Sequence, residues 1–223
     1  MYKTTDVLDL EHTIAADYLR QFTYPWEALN GIGELVTELG LELMDDYEER
    51  EKHIWIHKTA RIFPSAFLSA PCIIGPNTEV RHCAFIRGSV IVGADCVIGN
   101  SVELKNVILF DNVQVPHYNY VGDSILGFHS HMGAGSITSN VRADYKDVIV
   151  HDGMESYKTG LKKFGAILGD YVEVGCNAVC NPGTVIGRNS NIYPTSCVRG
   201  TVPENCIWKN SGEIVLKTEK VIK

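Results

Sequence analysis

Large aliphatic residues recur along most of this chain with a fixed beat. Ile56, Ile62, Leu68, Ile74, Val80, Ile86, Val92, Ile98 and Leu104 fall six residues apart. One residue is then dropped before Leu109, Val115 and Val121 resume the count, and another before Leu126 and Met132. The beat returns late with Leu168, Val174, Cys180, Ile186, Ile192 and Val198. Six steps of about 100° turn a helix by about 240°, so these residues cannot share a helical face. An even interval does keep them on one side of extended chain. Four residues after most of these anchors stands something small: Ala60, Ala66, Cys72, Thr78, Ala84, Cys96, Ser130, Ser136, Ala178, Thr184, Ser190 and Ser196. Glycine often follows the anchor directly, as at Gly75, Gly93, Gly99, Gly133 and Gly175, which predicts tight backbone turns there.

Anchor, small partner and glycine in this order resemble the hexapeptide repeat of the left-handed parallel β-helix, in which three units close one triangular coil. The resemblance implies an all-β prism over residues 54–205. Residues 1–53 obey another rule. "DVLDLEHTIAADYLRQF" and "PWEALNGIGELVTELGLEL" space their apolar residues by three and four, and Pro25 is placed to start the second helix. They predict a small helical cap on the first coils, joined by the acidic linker "DDYEEREK". Between Thr138 and Gly165 the beat fails, and "VIVHDGMESYKTG" predicts a hairpin about Asp152-Gly153 that projects from the prism at about 139–165. With Arg142, Lys146, Lys158, Lys162 and Lys163, this segment reads either as a solvated loop or as a positive wall beside a site. Residues 206–223 form a C-terminal tail.

The net charge of −7 over 223 residues argues against general affinity for nucleic acid or an anionic membrane. No apolar run reaches membrane-spanning length, and the opening "MYKTTDVLDLEHTIAADYLR" lacks the apolar core of a signal peptide, so a cytoplasmic location is expected. The seven cysteines form no CxxC pair and read as reduced thiols, with Cys72, Cys96 and Cys180 in repeat slots.

Two cations interrupt the pattern. Arg87 and Lys105 each follow an anchor, eighteen residues apart, which in the resembling fold is one coil. They are expected one above the other, separated by about 4.8 Å. Stacked like charges repel. Either both splay into water, or an anion such as phosphate lies between them. His117 and Tyr120 stand in "VPHYNYVGD", where Pro116 replaces the usual glycine. An imidazole that titrates near neutrality suits a general base, although a structural hydrogen bond is the commoner role of a lone histidine.

Residues 92–146 combine VELK, H-x-x-Y-x-G-D, GAGSIT-x-N and a lysine six residues after that asparagine. This set resembles the acetyltransferase half of the bacterial bifunctional glucosamine-1-phosphate acetyltransferase / N-acetylglucosamine-1-phosphate uridyltransferase. It is similar also to the C-terminal half of archaeal sugar-1-phosphate nucleotidyltransferases, which share a "GLKKFGAILGD"-like segment. The likeness runs over roughly residues 55–205. It implies that His117 is the catalytic base, that Tyr120, Arg87 and Lys105 hold the sugar phosphate, and that Asn140 and Lys146 contact the amino sugar. Ala134, Cys176 and Pro194 fall where the family lines its acetyl-CoA groove between the subunits of a homotrimer. Two positions depart from the bacterial pattern: His131 stands for an asparagine and Val141 for a tyrosine. The family's C-terminal arginine has no clear counterpart, leaving Lys209, Lys217 and Lys220 as the tail cations available to the coenzyme.

The resulting expectation is an acetyl-CoA-dependent N-acyltransferase acting on a phosphorylated or nucleotide-linked amino sugar, with no metal. Only about fifty residues precede the repeat, without a glycine-rich nucleotide-binding half, so pyrophosphorylase activity is not expected of this chain alone. Two alternatives stay open. One is a non-catalytic trimeric binding or regulatory module related to sugar nucleotidyltransferases. The other is a γ-carbonic-anhydrase-like zinc enzyme using His82, His117, His129 and His131, although that family's third ligand closely follows the second and residues 118–128 contain no histidine.

Overall fold

The computed structural model describes residues 1–218. From residue 54 the chain winds into a triangular parallel β-helix, the architecture implied by the repeat. One face stacks strands at 61–62, 79–80, 97–100, 114–117, 131–132, 173–174, 191–192 and 206–208. A second begins with Phe67–Leu68 and Phe85–Ile86 and ends with Val179–Cys180 and Cys197–Val198; a third runs from Ile54–His57 to Thr201–Val202. Successive coils pair in parallel and in register, for example Val80 with Ile98 and Val174 with Ile192. Most anchors are fully buried, and the small partners beside them (Thr78, Ser130, Ser136, Thr184, Ser190) are buried too, because a narrow prism holds one large side chain per face and coil.

Most corners carry a residue with positive φ, commonly Asn, Asp or Ser: Asn77, Asp95, Ser101, Asn112, Asn177 and Asn189 among them. These lie three residues after an anchor, so the glycines that directly follow an anchor are not the turning residues. Their reason is close approach. A Cβ on Gly75 would meet the backbone of Gly93 in the next coil, one on Gly99 the carbonyl of Pro116, and one on Gly175 the backbone of Pro194.

At the two places where the beat drops a residue, two faces run together as the continuous strands Glu103–Leu109 and Tyr120–Leu126. Their shortened corners put Asn106 at φ 54° and Asp123 at φ 47° directly behind Lys105 and Gly122.

The N-terminal segment is not a cap on the first coils. It breaks into short turns (Thr4–Val7, Leu10–His12, Ala16–Leu19), then a 3₁₀ stretch Pro25–Gly31 that leads into the helix Ile32–Glu42. It runs along the third face for most of the prism. The Tyr2 hydroxyl accepts from Glu204 N–H at 2.7 Å, Asp170 N–H donates to Val7 O at 3.0 Å, and the last helix lies over the strands at 72–74 and 90–92. Beneath it, outward-pointing Ile73, Ile91, Ile108, Ile125, Ile167 and Val185 are all fully buried. The acidic linker is likewise a strand: Tyr47–Glu51 pairs antiparallel with Ile54–His57 and closes one edge of the first coil. The tail does the same at the other end, where Ile214–Leu216 pairs antiparallel with Cys206–Trp208.

The expected hairpin forms from Ile149–Asp152 and Glu155–Lys158. Its tip stands out, with Met154 fully exposed, while its base is seated on the prism through buried Val148 and Val150 and a hydrogen bond from Thr201 Oγ1 to His151 O at 3.0 Å. No helix among the described residues is long and apolar enough to cross a membrane.

Candidate functional site

Two edges of the prism carry the residues singled out in the sequence, and the second face lies between them. On the first edge, Tyr118 N–H donates to Asn100 O, Gly135 N–H to His117 O, Asn177 N–H to Ala134 O and Thr195 N–H to Cys176 O, at 2.8–2.9 Å. These rungs place His117, Ala134, Cys176 and Pro194 in one column, one per coil. A groove of about 310 Å³ opens beside the column, walled by His131, Gly133, Glu173, Cys176, Tyr193 and Pro194. His117 is exposed at its foot. Its backbone is fixed by Asn119, whose buried side chain accepts from His117 N–H at 3.0 Å and donates to Gly133 O at 2.8 Å. The Gly133 N–H is taken by Val174 O at 2.7 Å, while the Ala134 N–H has no backbone acceptor among the described residues.

On the second edge, Arg87 and Lys105 occupy successive rungs as expected, since Leu104 pairs with Ile86. Each cation already has a carboxylate. Arg87 Nη1 lies 2.7 Å from Glu103, which raises the guanidinium pKa further, and Lys105 Nζ lies 2.9 Å from Asp123. The repulsion of stacked charges is thus relieved within the chain, by alternating signs along the edge. An incoming anion has to compete with these two carboxylates.

Asp123 is the hub that the sequence did not reveal. Its side chain is 5% exposed, and its two oxygens accept from Lys105 Nζ at 2.9 and 3.2 Å, from Asn106 Nδ2 at 2.9 Å, and from Asn140 Nδ2. Because a carboxylate only accepts, it fixes the orientation of the Asn140 amide. That amide also donates to the Tyr120 hydroxyl at 3.1 Å, leaving the phenolic proton free to be given to a ligand. Burial, followed by the charge of Asp123, raises the Tyr120 pKa above the ordinary phenol value and keeps it a neutral donor. A Cβ on Gly122 would collide with that hydroxyl, so glycine here clears space for the tyrosine.

Lys146 is the expected residue that the fold does not bring to this cluster. It lines a separate groove with Lys158, Lys162 and Gly160 at the hairpin base. The supposed positive wall is partly neutralised, Arg142 by Asp144 and Lys162 by Asp147. Of the tail lysines, Lys209 pairs with Glu213 at 3.2 Å. Burial pulls Lys217 below the usual lysine range, against the upward pull of Glu173 on the groove wall. Lys220 lies outside the described residues.

The four histidines of the zinc alternative go separate ways: His82 meets Ser65 at 3.1 Å, His129 stacks on Tyr171, and His131 pairs with Glu173 at 2.7 Å. Among the described residues no three His, Cys, Asp or Glu side chains gather as a metal site within the chain.

The family model described as the GMPPB C-terminal domain matches residues 68–203. The chain belongs to that family. Among curated relatives, the bifunctional protein GlmU of Methanococcus maripaludis is 30% identical over 204 residues, covering 90% of this chain and 49% of that protein. The bifunctional sugar-1-phosphate nucleotidylyltransferase/acetyltransferase of Sulfurisphaera tokodaii is 34% identical over 128 residues, covering 57% and 30%. The chain therefore spans about half the length of these family relatives or less. Among solved structures, PerB from Caulobacter crescentus in complex with CoA and GDP-perosamine aligns with 72% of this chain and 56% of its own, at 18% identity and a TM-score of 0.39.

Proposed function

We propose that the chain is an acetyl-CoA-dependent N-acyltransferase acting on a phosphorylated or nucleotide-linked amino sugar. The observation that carries this reading is the division of labour across the second face. An imidazole with no side-chain partner among the described residues and a groove share one edge, while a phenol, an oriented amide and two cations share the other. Sugar phosphate on Tyr120, Lys105 and Arg87 would present its amine toward His117, with the coenzyme along the groove past Ala134, Cys176 and Pro194. His117 takes a proton from the ammonium, the amine attacks the thioester carbonyl, and the Ala134 N–H steadies the oxyanion. Collapse breaks the C–S bond, and the coenzyme thiolate leaves to be protonated. The acetyltransferase activity named for the Sulfurisphaera tokodaii relative agrees with this chemistry.

A homotrimer completes the reading. The third face is occupied by the chain's own N-terminal segment, so subunits have the His117 edge and its flanking faces through which to meet. Localisation in the cytoplasm accords with such substrates.

Thiol release from acetyl-CoA, followed with glucosamine 1-phosphate as acceptor, tests the proposal. His117→Ala is expected to lose about 10²- to 10⁴-fold in rate. An unchanged rate would remove His117 from the mechanism. One observation favours the rival non-catalytic module: both phosphate-facing cations already hold carboxylates. Calorimetry separates the two readings, since saturable coenzyme A binding belongs to transfer and its absence to the module.

A further inference from the structure

The edge that carries Arg87 and Lys105 continues beyond them. Lys105 pairs with Gly122, and the registers of Val121 with Thr138, Thr138 with Cys180 and Cys180 with Val198 carry the same column through Ser139 and Asn181 to Arg199. Arg199 is the third cation in this slot. Unlike the other two, it has no carboxylate within 4 Å among the described residues, and its neighbours down the column are the neutral Asn181 and Ser139. The hairpin base leans over this stretch at His151 and encloses a cavity of about 400 Å³, whose walls include Ser139, Val141, Arg142, His151, Asn181 and Arg199. Arg142 is already tied to Asp144 at 2.7 Å, so Arg199 supplies the uncompensated charge.

We propose that this cavity binds the nucleotide end of a nucleotide-diphosphate-linked amino sugar, which makes such a compound, and not the bare sugar 1-phosphate, the preferred acceptor. The inference rests on the acyl-transfer reading for the meaning of "acceptor", though not for the binding site itself. Rung spacing sets the geometry. Ser139 lies two rungs from Lys105, about 10 Å, and Arg199 four rungs, about 19 Å. A sugar phosphate held at Arg87 and Lys105 ends before the cavity begins. Adding a second phosphate, a ribose and a base extends the ligand along the edge into it. The lining suits such a group: Val141, Ile149 and Pro182 offer apolar walls, Ser139 and the amide of Asn181 offer polar contacts, and Arg199 offers a planar cation that stacks on a base or pairs with phosphate.

Two measurements on the full chain test the proposal. Calorimetry with UDP as probe is expected to give a saturable isotherm for the parent, at least tenfold weaker binding for Arg199→Ala, and partial recovery for Arg199→Lys. Thiol-release assays then compare UDP-glucosamine with glucosamine 1-phosphate. The ratio of kcat/KM is expected to favour the nucleotide-linked acceptor by tenfold or more, and to fall about tenfold in Arg199→Ala. If UDP binds through Arg199 but neither acceptor is acetylated, the transferase reading fails and the nucleotide site stands. If acetylation proceeds with equal kcat/KM for both acceptors, or the Arg199 variants bind UDP as the parent does, the nucleotide site is refuted and transfer stands.

Discussion

Replacing Asp123 by asparagine keeps the shape of the side chain, removes its charge, and turns one of its oxygens into a donor. Three donors now converge on it: Lys105 Nζ at 2.9 Å, Asn106 Nδ2 at 2.9 Å, and Asn140 Nδ2. Whichever way the new amide turns, its NH₂ faces at least one of them. Removing one partner of a fully buried ion pair typically costs about 3–5 kcal/mol. Lys105 keeps a side-chain exposure of 25%, and water there offsets part of the loss, so about 2–3 kcal/mol is expected. In a protein of this size that corresponds to a fall in Tm of about 5–10 °C. Lys105→Met should cost a similar amount, because it leaves Asp123 with amide donors alone. The double variant removes both charges, so the two losses should fall short of adding by about 1–2 kcal/mol. Urea unfolding of all four proteins gives the cycle. Additivity within about 0.5 kcal/mol, the behaviour of independent sites, would refute the idea that Asp123 holds the edge together.

Gly99→Ala should destabilise by about 1–3 kcal/mol, since its Cβ meets the Pro116 carbonyl behind His117; the same change at Gly153 meets nothing within 4 Å, so its cost of about 1–2 kcal/mol comes from the positive φ alone. In native protein at pH 8 an aromatic disulfide reagent should label exposed Cys83, Cys176 and Cys197, while Cys72, Cys96 and Cys180, pushed up to about 12 by burial, stay silent. Saturating coenzyme A should protect Cys176 selectively, and uniform labelling in its presence would count against the groove. Deleting residues 1–43 should uncover the apolar row from Ile73 to Val185, producing dye binding and association; a soluble, dye-silent product would show that the N-terminal segment is dispensable to the face it covers.

The coil was legible because its signal is redundant: each anchor is repeated on every face, and one physical requirement, filling a narrow prism, selects the same residue type each time. The N-terminal segment was legible as helix-forming, but its position was not, since amphipathic spacing says that a face is buried and not against what. The answer was nevertheless written elsewhere. Ile73, Ile91, Ile108, Ile125, Ile167 and Val185 each directly precede an anchor, where the other faces place residues such as Glu79, Glu103 or Glu173. An outward apolar residue at that slot in coil after coil requires a cover, and the only long apolar-striped segment outside the repeat is residues 1–43.

The same logic separates what could and could not be read of the site. His117, Ala134, Cys176 and Pro194 fall in one column by counting coils alone. Asp123 does not announce itself this way, because a carboxylate at a corner is ordinarily solvated. Its burial follows from the two dropped residues. A corner shortened by one residue draws Asn106 and Asp123 into the left-handed slot directly behind Lys105 and Gly122, and Asn140, two residues past the strand Ile137–Thr138 of the next coil, reaches Asp123. The slips in the beat, which look like faults in the repeat, are therefore the places where polar side chains are turned inward and held. In a fold this regular, chemistry needs a departure from the rule, and the departures at Leu104–Leu109 and Val121–Leu126 coincide with the one buried ionic cluster on the Arg87–Lys105 edge among the described residues.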